Sequence, residues 1–151
     1  EEYNVPLMID DNLELALACR ADGLHVGQDD MEASEARRLL GPDRILGVTA
    51  KTVDQARKAQ AAGADYLGVG AMFHTGTKLD AEEVSREAAQ EITAAVDIPV
   101  VAIGGINKKN ILELKGTGVD GVALVSAIFG AENIEEECKT LKALSAEMVQ
   151  A

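Results

Sequence analysis

Six short apolar segments alternate with six segments of helical spacing, and this alternation limits the architectures open to the chain more than any other feature. The apolar segments are Val5–Ile9, Leu24–Gly27, Ile45–Thr49, Tyr66–Gly70, Pro99–Gly104 and Gly121–Ser126. The segments between and after them are Asn12–Ala21, Glu32–Leu40, Thr52–Ala62, Val84–Val96, Lys108–Thr117 and Ile134–Met148. Strand followed by helix, repeated throughout, predicts an α/β fold with a parallel sheet. The apolar segments read as nearly continuous runs without a two-residue alternation, the pattern of strands covered on both faces. An internal repeat agrees: "CRADGLHVG", "AAGADYLGVG" and "GTGVDGVALVS" each close a helix, place an aspartate (Asp22, Asp65, Asp120) and enter a strand. These aspartates read as turn residues of the helix-to-strand loops. With 151 residues and no linker or low-complexity stretch, a single domain over residues 1–151 is expected.

The polar residues are distributed unevenly. Strand starts carry Gly and Asp turns. Strand exits carry Asp10, Asp11 and Asn12, then Gln28, Asp29 and Asp30, then Thr49 and Lys51, then Thr75, Thr77 and Lys78, then Gly104, Gly105 and Asn107, and finally Ser126. In parallel α/β folds ligands bind at the C-terminal ends of the strands, so this asymmetry marks one rim as the site.

Composition narrows the ligand. A formal net charge of -12 with 14 dispersed Lys and Arg disfavours nucleic acid and anionic membrane surfaces. No apolar run is long enough to span a bilayer and the start has no basic signal region. Cys19 and Cys138 are far apart in sequence and suggest buried thiols in a reducing cytoplasm. A small-molecule ligand is the expectation.

On the rim, Asp11 and Asp30 end consecutive strands, and paired carboxylates there call for a hard cation such as Mg2+. The plainer alternative is that Asp11 or Asn12 caps a helix while Asp29 and Asp30 are solvated; spacing does not choose. Gly104 and Gly105 followed by Asn107 suit either a phosphate at a helix N-terminus or tight packing. Ser126 offers a hydroxyl at the next strand exit. Thr75, Thr77 and Lys78 form a loop able to fold over an anion with several oxygens, against a solvated turn. His25 and His74 show no acid–base partner and read as structural.

Together the segments "VPLMIDD", "ADGLHVGQDD", "LGVTAKT", "GADYLGVGAMFHTGTKLD", "IPVVAIGGIN" and "GVDGVALVSAIF" resemble the thiamine phosphate synthase (thiamine-phosphate pyrophosphorylase) family from end to end. The resemblance implies a TIM (β/α)8 barrel enzyme of the cytoplasm. It would be a transferase of thiamine biosynthesis that joins a pyrimidine diphosphate to a thiazole phosphate with Mg2+, releasing pyrophosphate. It implies Asp11 and Asp30 as magnesium ligands and Asp10 where the family commonly has Asn. Thr49 would lie at the pyrophosphate, where the family often has Ser. Thr75, Thr77, Gly105 and Ser126 would lie at the thiazole phosphate, and Lys78 at the pyrophosphate as the catalytic residue. His74 stands in place of a common Pro and Lys51 in place of a frequent His.

The resemblance also implies that two β/α units of the family, one carrying a Gln-x-Arg-x-Lys motif, have no counterpart in these residues. The chain then corresponds to the C-terminal three-quarters of the barrel, an incomplete barrel of six β/α units. It would be part of a longer polypeptide, completed by a second chain or homo-oligomer, or a minimal variant. Two rivals follow. A thiazole tautomerase branch resembles the synthase but carries a His after the Gly that ends the fourth strand, where this chain has Ala71 after Gly70. A non-catalytic binder of phosphate ligands is the other.

Overall fold

The computed structural model describes residues 3–74 and 83–150. Strands β1 (Met8–Asp10), β2 (Gly23–Val26), β3 (Ile45–Ala50), β4 (Tyr66–Val69), β5 (Val100–Ile103) and β6 (Gly121–Ala123) pair in parallel and in chain order. Such strictly sequential parallel pairing puts every crossover on one face, and the sheet curls into a half-barrel. The helices are α1 (Leu13–Ala18), α2 (Ala33–Leu40), α3 (Val53–Ala61), α4 (Arg86–Thr93), α5 (Ser126–Phe129) and α6 (Ile134–Val149). A α/β half-barrel of six parallel strands is therefore the fold class, in keeping with a TIM-like architecture.

Burial follows the continuous runs expected in β3 and β4 and departs from them in β5. Leu24 and Val26, Leu46 and Val48, Leu67 and Val69, and Val100 and Ala102 are buried and form one core with Leu40, Ala56, Ala59, Ile92 and Leu114 of the outer layer. The residues between them, His25, Thr49, Val101 and Ile103, are partly or fully exposed. Side chains alternate between the two faces of each strand, but Gly47 and Gly68 are buried as well, so burial is continuous over Leu46–Val48 and Leu67–Val69 and alternates only along β5. Gly47, Gly68 and Gly121 occupy inner-face positions and carry no polar side chain, so the alternation leaves little trace in the sequence.

The repeat aspartates tie strand starts together. Asp22 Oδ2 accepts a hydrogen bond from Leu7 N at 2.7 Å while Asp22 N donates to Leu7 O at 2.9 Å. Asp65 does the same with Leu46, at 2.7 and 2.8 Å, and Asp120 with Val100, at 2.8 and 2.8 Å. Each loop before β2, β4 and β6 therefore clamps the preceding strand, and a carboxylate acceptor makes the bond stronger than a neutral one.

Two elements differ from expectation. The helix expected over Lys108–Thr117 is a single 3-10 turn, Ile111–Leu114. Asn110 Oδ1 accepts from Asn107 N at 2.8 Å and Asn107 Oδ1 from Lys109 N at 2.9 Å, so side chains take the amides that a helix start would use. Beyond it, Gly116 and Gly118 have φ of 76° and 80°, outside helical space. The sixth strand ends at Ala123, short of the Ser126 expected, and the short helix α5 begins at Ser126.

The outermost elements leave apolar surface uncovered. Tyr3, Val5 and Leu7 before β1, Leu15 and Leu17 on α1, and Val125, Phe129, Ile134 and Val149 around α5 and α6 are all exposed, Tyr3 at 80% and Phe129 at 74%. Between β6 and α6 lies a groove of about 560 Å3 lined by Val122, Leu124, Ile128, Leu141 and Val149.

Candidate functional site

The strand exits assemble on one rim, and the first four strands present a polar inner face beneath it. Asp10 is the last residue of β1 and pairs in register with His25 of β2. His25 in turn pairs with Gly47 of β3, and Gly47 with Tyr66 of β4. His25 Nδ1 lies 2.9 Å from the Tyr66 hydroxyl and its Nε2 lies 2.9 Å from Thr49 Oγ1. The imidazole and phenol rings are tilted by 41° with centroids 5.4 Å apart. A Cβ on Gly47 would collide with both rings, and one on Gly68 would sit 3.0 Å from His25 Cε1. Two glycines at neighbouring register positions thus open the slot in which His25 lies. Burial, and secondarily the negative charge of Asp10, push the Tyr66 phenol above its ordinary range. The sequence shows no partner for His25; in the fold Tyr66 and Thr49 both bond it. Sequence reading missed this network because its partners are 41 and 24 residues away; the only trace was Gly in "LGVT" and "LGVG".

Beside this face stand the carboxylates of the first two strand exits. Asn12, with Oδ1 accepting from Leu15 N at 2.9 Å, is the N-cap of α1, so the capping role falls to it and not to Asp11. Asp11 has φ of 63°, a left-handed conformation that short polar residues tolerate, and its amide donates to His25 O at 2.8 Å. Asp30 Oδ2 accepts from Gly27 N at 2.8 Å, folding the loop after β2 back on its own strand. Both aspartates therefore sit at the same end of adjacent strands. Gln28, across the same exit, donates from Nε2 to Thr49 O at 2.5 Å and ties the ends of β2 and β3 together.

As a metal set, Asp11 and Asp30 offer oxygen donors alone. Among the described residues no group of three or more His, Cys, Asp or Glu is gathered for an ion. Two carboxylates fit a hard ion that keeps water and takes ligand phosphate oxygens for the rest of its shell, as Mg2+ does, and do not suit a fully protein-enclosed cation.

On the other half of the rim, Gly105 has φ of 66° and lies so close to the Phe73 and His74 carbonyls that a Cβ would come within 2.6 Å of Phe73 O. Its own carbonyl accepts from Asn107 Nδ2 at 3.2 Å and Asn110 Nδ2 at 3.0 Å. Gly105 thus fixes the point where the chain leaves toward the segment that contains Thr75, Thr77 and Lys78, which lie outside the described residues. The expected helix N-terminus after Asn107 is replaced by these asparagine turns, so no helix dipole points at an anion there. Ser126 is exposed as the first residue of α5, three residues beyond β6. Lys108, expected at that helix start, instead pairs with Glu137 at 2.9 Å. His74, 90% exposed, has Nδ1 3.8 Å from Glu83 Oε1.

Residues 1–128 match the family model described as thiamine monophosphate synthase. The chain is 51% identical over 141 residues to a thiamine-phosphate synthase of Clostridium tetani, covering 93% of this chain and 68% of that protein. It is 52% identical over 143 residues to one of Alkaliphilus oremlandii, covering 95% and 68%. Among solved structures, a thiamine phosphate pyrophosphorylase from Pyrococcus furiosus superposes with a TM-score of 0.89 at 40% identity, covering 98% of this chain and 71% of that one. The chain spans about two thirds of the length of these curated relatives.

Proposed function

The chain belongs to the thiamine monophosphate synthase family, and from that premise we propose that it joins a pyrimidine diphosphate to a thiazole phosphate, releasing pyrophosphate. The observation that carries this reading is the rim itself: Asp11 and Asp30 follow β1 and β2, Thr49 lies near the end of β3, and Gly105 follows β5, all at the C-terminal ends of parallel strands. Such a rim suits a ligand with two phosphate-bearing halves.

In this reading the bond between the pyrimidine methylene carbon and the diphosphate oxygen breaks first. Both electrons leave with the diphosphate, and the thiazole nitrogen lone pair then closes on the resulting cation. No proton leaves the attacking nitrogen, so no general base is required. Asp11 and Asp30 would hold Mg2+, which when bound neutralises charge on the departing diphosphate. Lys78 adds a positive charge to the leaving group, Thr49 donates a hydroxyl to it, and Asp10 borders the pyrimidine side. Thr75, Thr77, Gly105 and Ser126 hold the thiazole phosphate and so fix the direction of attack. Ala71, only 8% exposed where the tautomerase branch carries an imidazole, favours the synthase.

The uncovered apolar surface at both ends of the sheet supports a second part of the proposal. Two further β/α units, from the same polypeptide or a second chain, would pair with β1 and β6 and close the barrel. A phosphate-ligand binder without turnover is the reading favoured by the open edges if closure is not achieved. Incubation with both substrates and Mg2+, followed by an assay for thiamine phosphate, tests the synthase. Product is expected, and Lys78→Ala is expected to lower kcat by about 10²-fold, the scale of losing one leaving-group contact. Binding of thiazole phosphate without any product would establish the binder instead, and unchanged turnover in Lys78→Ala would remove that residue from its role.

A further inference from the structure

Thr49, His25 and Tyr66 form one hydrogen-bonded chain across three strands, and its bond directions are coupled. A neutral imidazole donates from one nitrogen and accepts at the other. If Nδ1 carries the proton, Nε2 accepts from Thr49 and the Thr49 hydrogen is consumed inside the protein. If Nε2 carries it, Thr49 Oγ1 accepts from His25 and the Thr49 hydrogen is available to a ligand. The second arrangement requires Tyr66 to donate to Nδ1. The Tyr66 hydroxyl, 2.9 Å from Nδ1, has a hydrogen to supply to it. Geometry holds the other members in place: Gly47 and Gly68 leave the slot for the ring, and Gln28 fixes the Thr49 carbonyl at 2.5 Å.

We propose that Tyr66 and His25 are positioning residues that turn the Thr49 hydroxyl outward as a donor to a phosphate oxygen at the exit of β3. The directed chain runs from Tyr66 O–H to His25 Nδ1, from His25 Nε2–H to Thr49 Oγ1, and from Thr49 O–H to the anion. The inference deepens the reading of Thr49 as a diphosphate contact and rests on it. An anion oxygen facing Thr49 Oγ1 selects this direction, because it offers an acceptor and no donor.

The test uses the 151-residue chain and magnesium pyrophosphate as probe. The chain has two histidines, so 15N-histidine labelling with a His74→Gln control assigns His25 directly. With the probe bound, His25 is expected to be protonated at Nε2 alone, and Tyr66→Phe, which removes the donor to Nδ1, is expected to mix the tautomers. Calorimetric dissociation constants give the second arm. Thr49→Val and Tyr66→Phe are each expected to weaken binding by about 2- to 10-fold, the range of one neutral hydrogen bond. The double variant is expected to bind no more weakly than Thr49→Val alone, because Tyr66 acts through Thr49. Nδ1 protonation in the bound state, or additive losses in the double variant, would overturn the positioning role while leaving Thr49 as a contact. Failure of the native chain to bind the probe, or native affinity in Thr49→Val, would overturn the diphosphate reading and this inference with it.

Discussion

Gly47 is the residue on which the polar inner face depends, because two rings from neighbouring strands occupy the space its side chain would fill. Gly47→Ala is expected to cost about 1 to 3 kcal/mol, the usual cost of overpacking, and to release His25 from Thr49. Urea denaturation and the His25 15N shifts measure the two effects separately. Tyr66 gives a pH signature of its own. Its phenol is pushed upward in the folded chain, so as pH rises past about 10 the unfolded chain loses that proton first and folding becomes less favourable. The contribution is complete below that pH and is lost through the folded value above it. Tyr66→Phe is expected to flatten this alkaline decline, read from urea midpoints between pH 8 and pH 11; an unchanged slope would show that another group causes it.

At the scale of elements, the aspartate clamps set which strands start together. Each joins an odd strand to the even strand after it, so the structural repeat is a pair of β/α units. Asp120→Ala leaves the Val100 amide without its carboxylate and is expected to destabilise by about 1.5 to 3 kcal/mol, the scale for a hydrogen bond to a charged group. Asp120→Asn, which keeps an acceptor, is expected to lose less than half as much. Equal losses in urea denaturation would mean that the charge and not the bond matters. Asn12→Ala, at the N-cap of α1, is expected to cost about 1 kcal/mol and to perturb the neighbouring Asp11 backbone.

For the whole molecule, the dominant fact is a sheet with free edges at β1 and β6 among the described residues. Exposed apolar side chains flank both strands, with Tyr3, Val5 and Leu7 before β1 and Val125, Phe129 and Val149 after β6. Exposed apolar side chains beside an unpaired strand edge favour association in water. The 151-residue chain is expected to self-associate in light scattering, and the pair Val5→Asp with Phe129→Asp to shift it toward the monomer. A native chain that is monomeric at high concentration would show that these edges are not sticky and remove the support for closure by further β/α units.

The order of strands and helices was legible in the sequence, because apolar runs at strand length and helical spacing are local patterns. The rim was legible for the same reason: Asp11, Asp30 and Gly105 follow apolar runs and Thr49 closes one, and chain order in a parallel sheet puts strand exits at one end. The helix expected after Asn107 was misread because side-chain amides captured the backbone within three residues, a competition that spacing does not reveal. Only the tertiary structure decided that Asp22, Asp65 and Asp120 bond across strands, that inner and outer faces alternate, and that His25 joins Tyr66 to Thr49. Those facts depend on register, and register arises from pairing residues tens of positions apart, which no local pattern encodes.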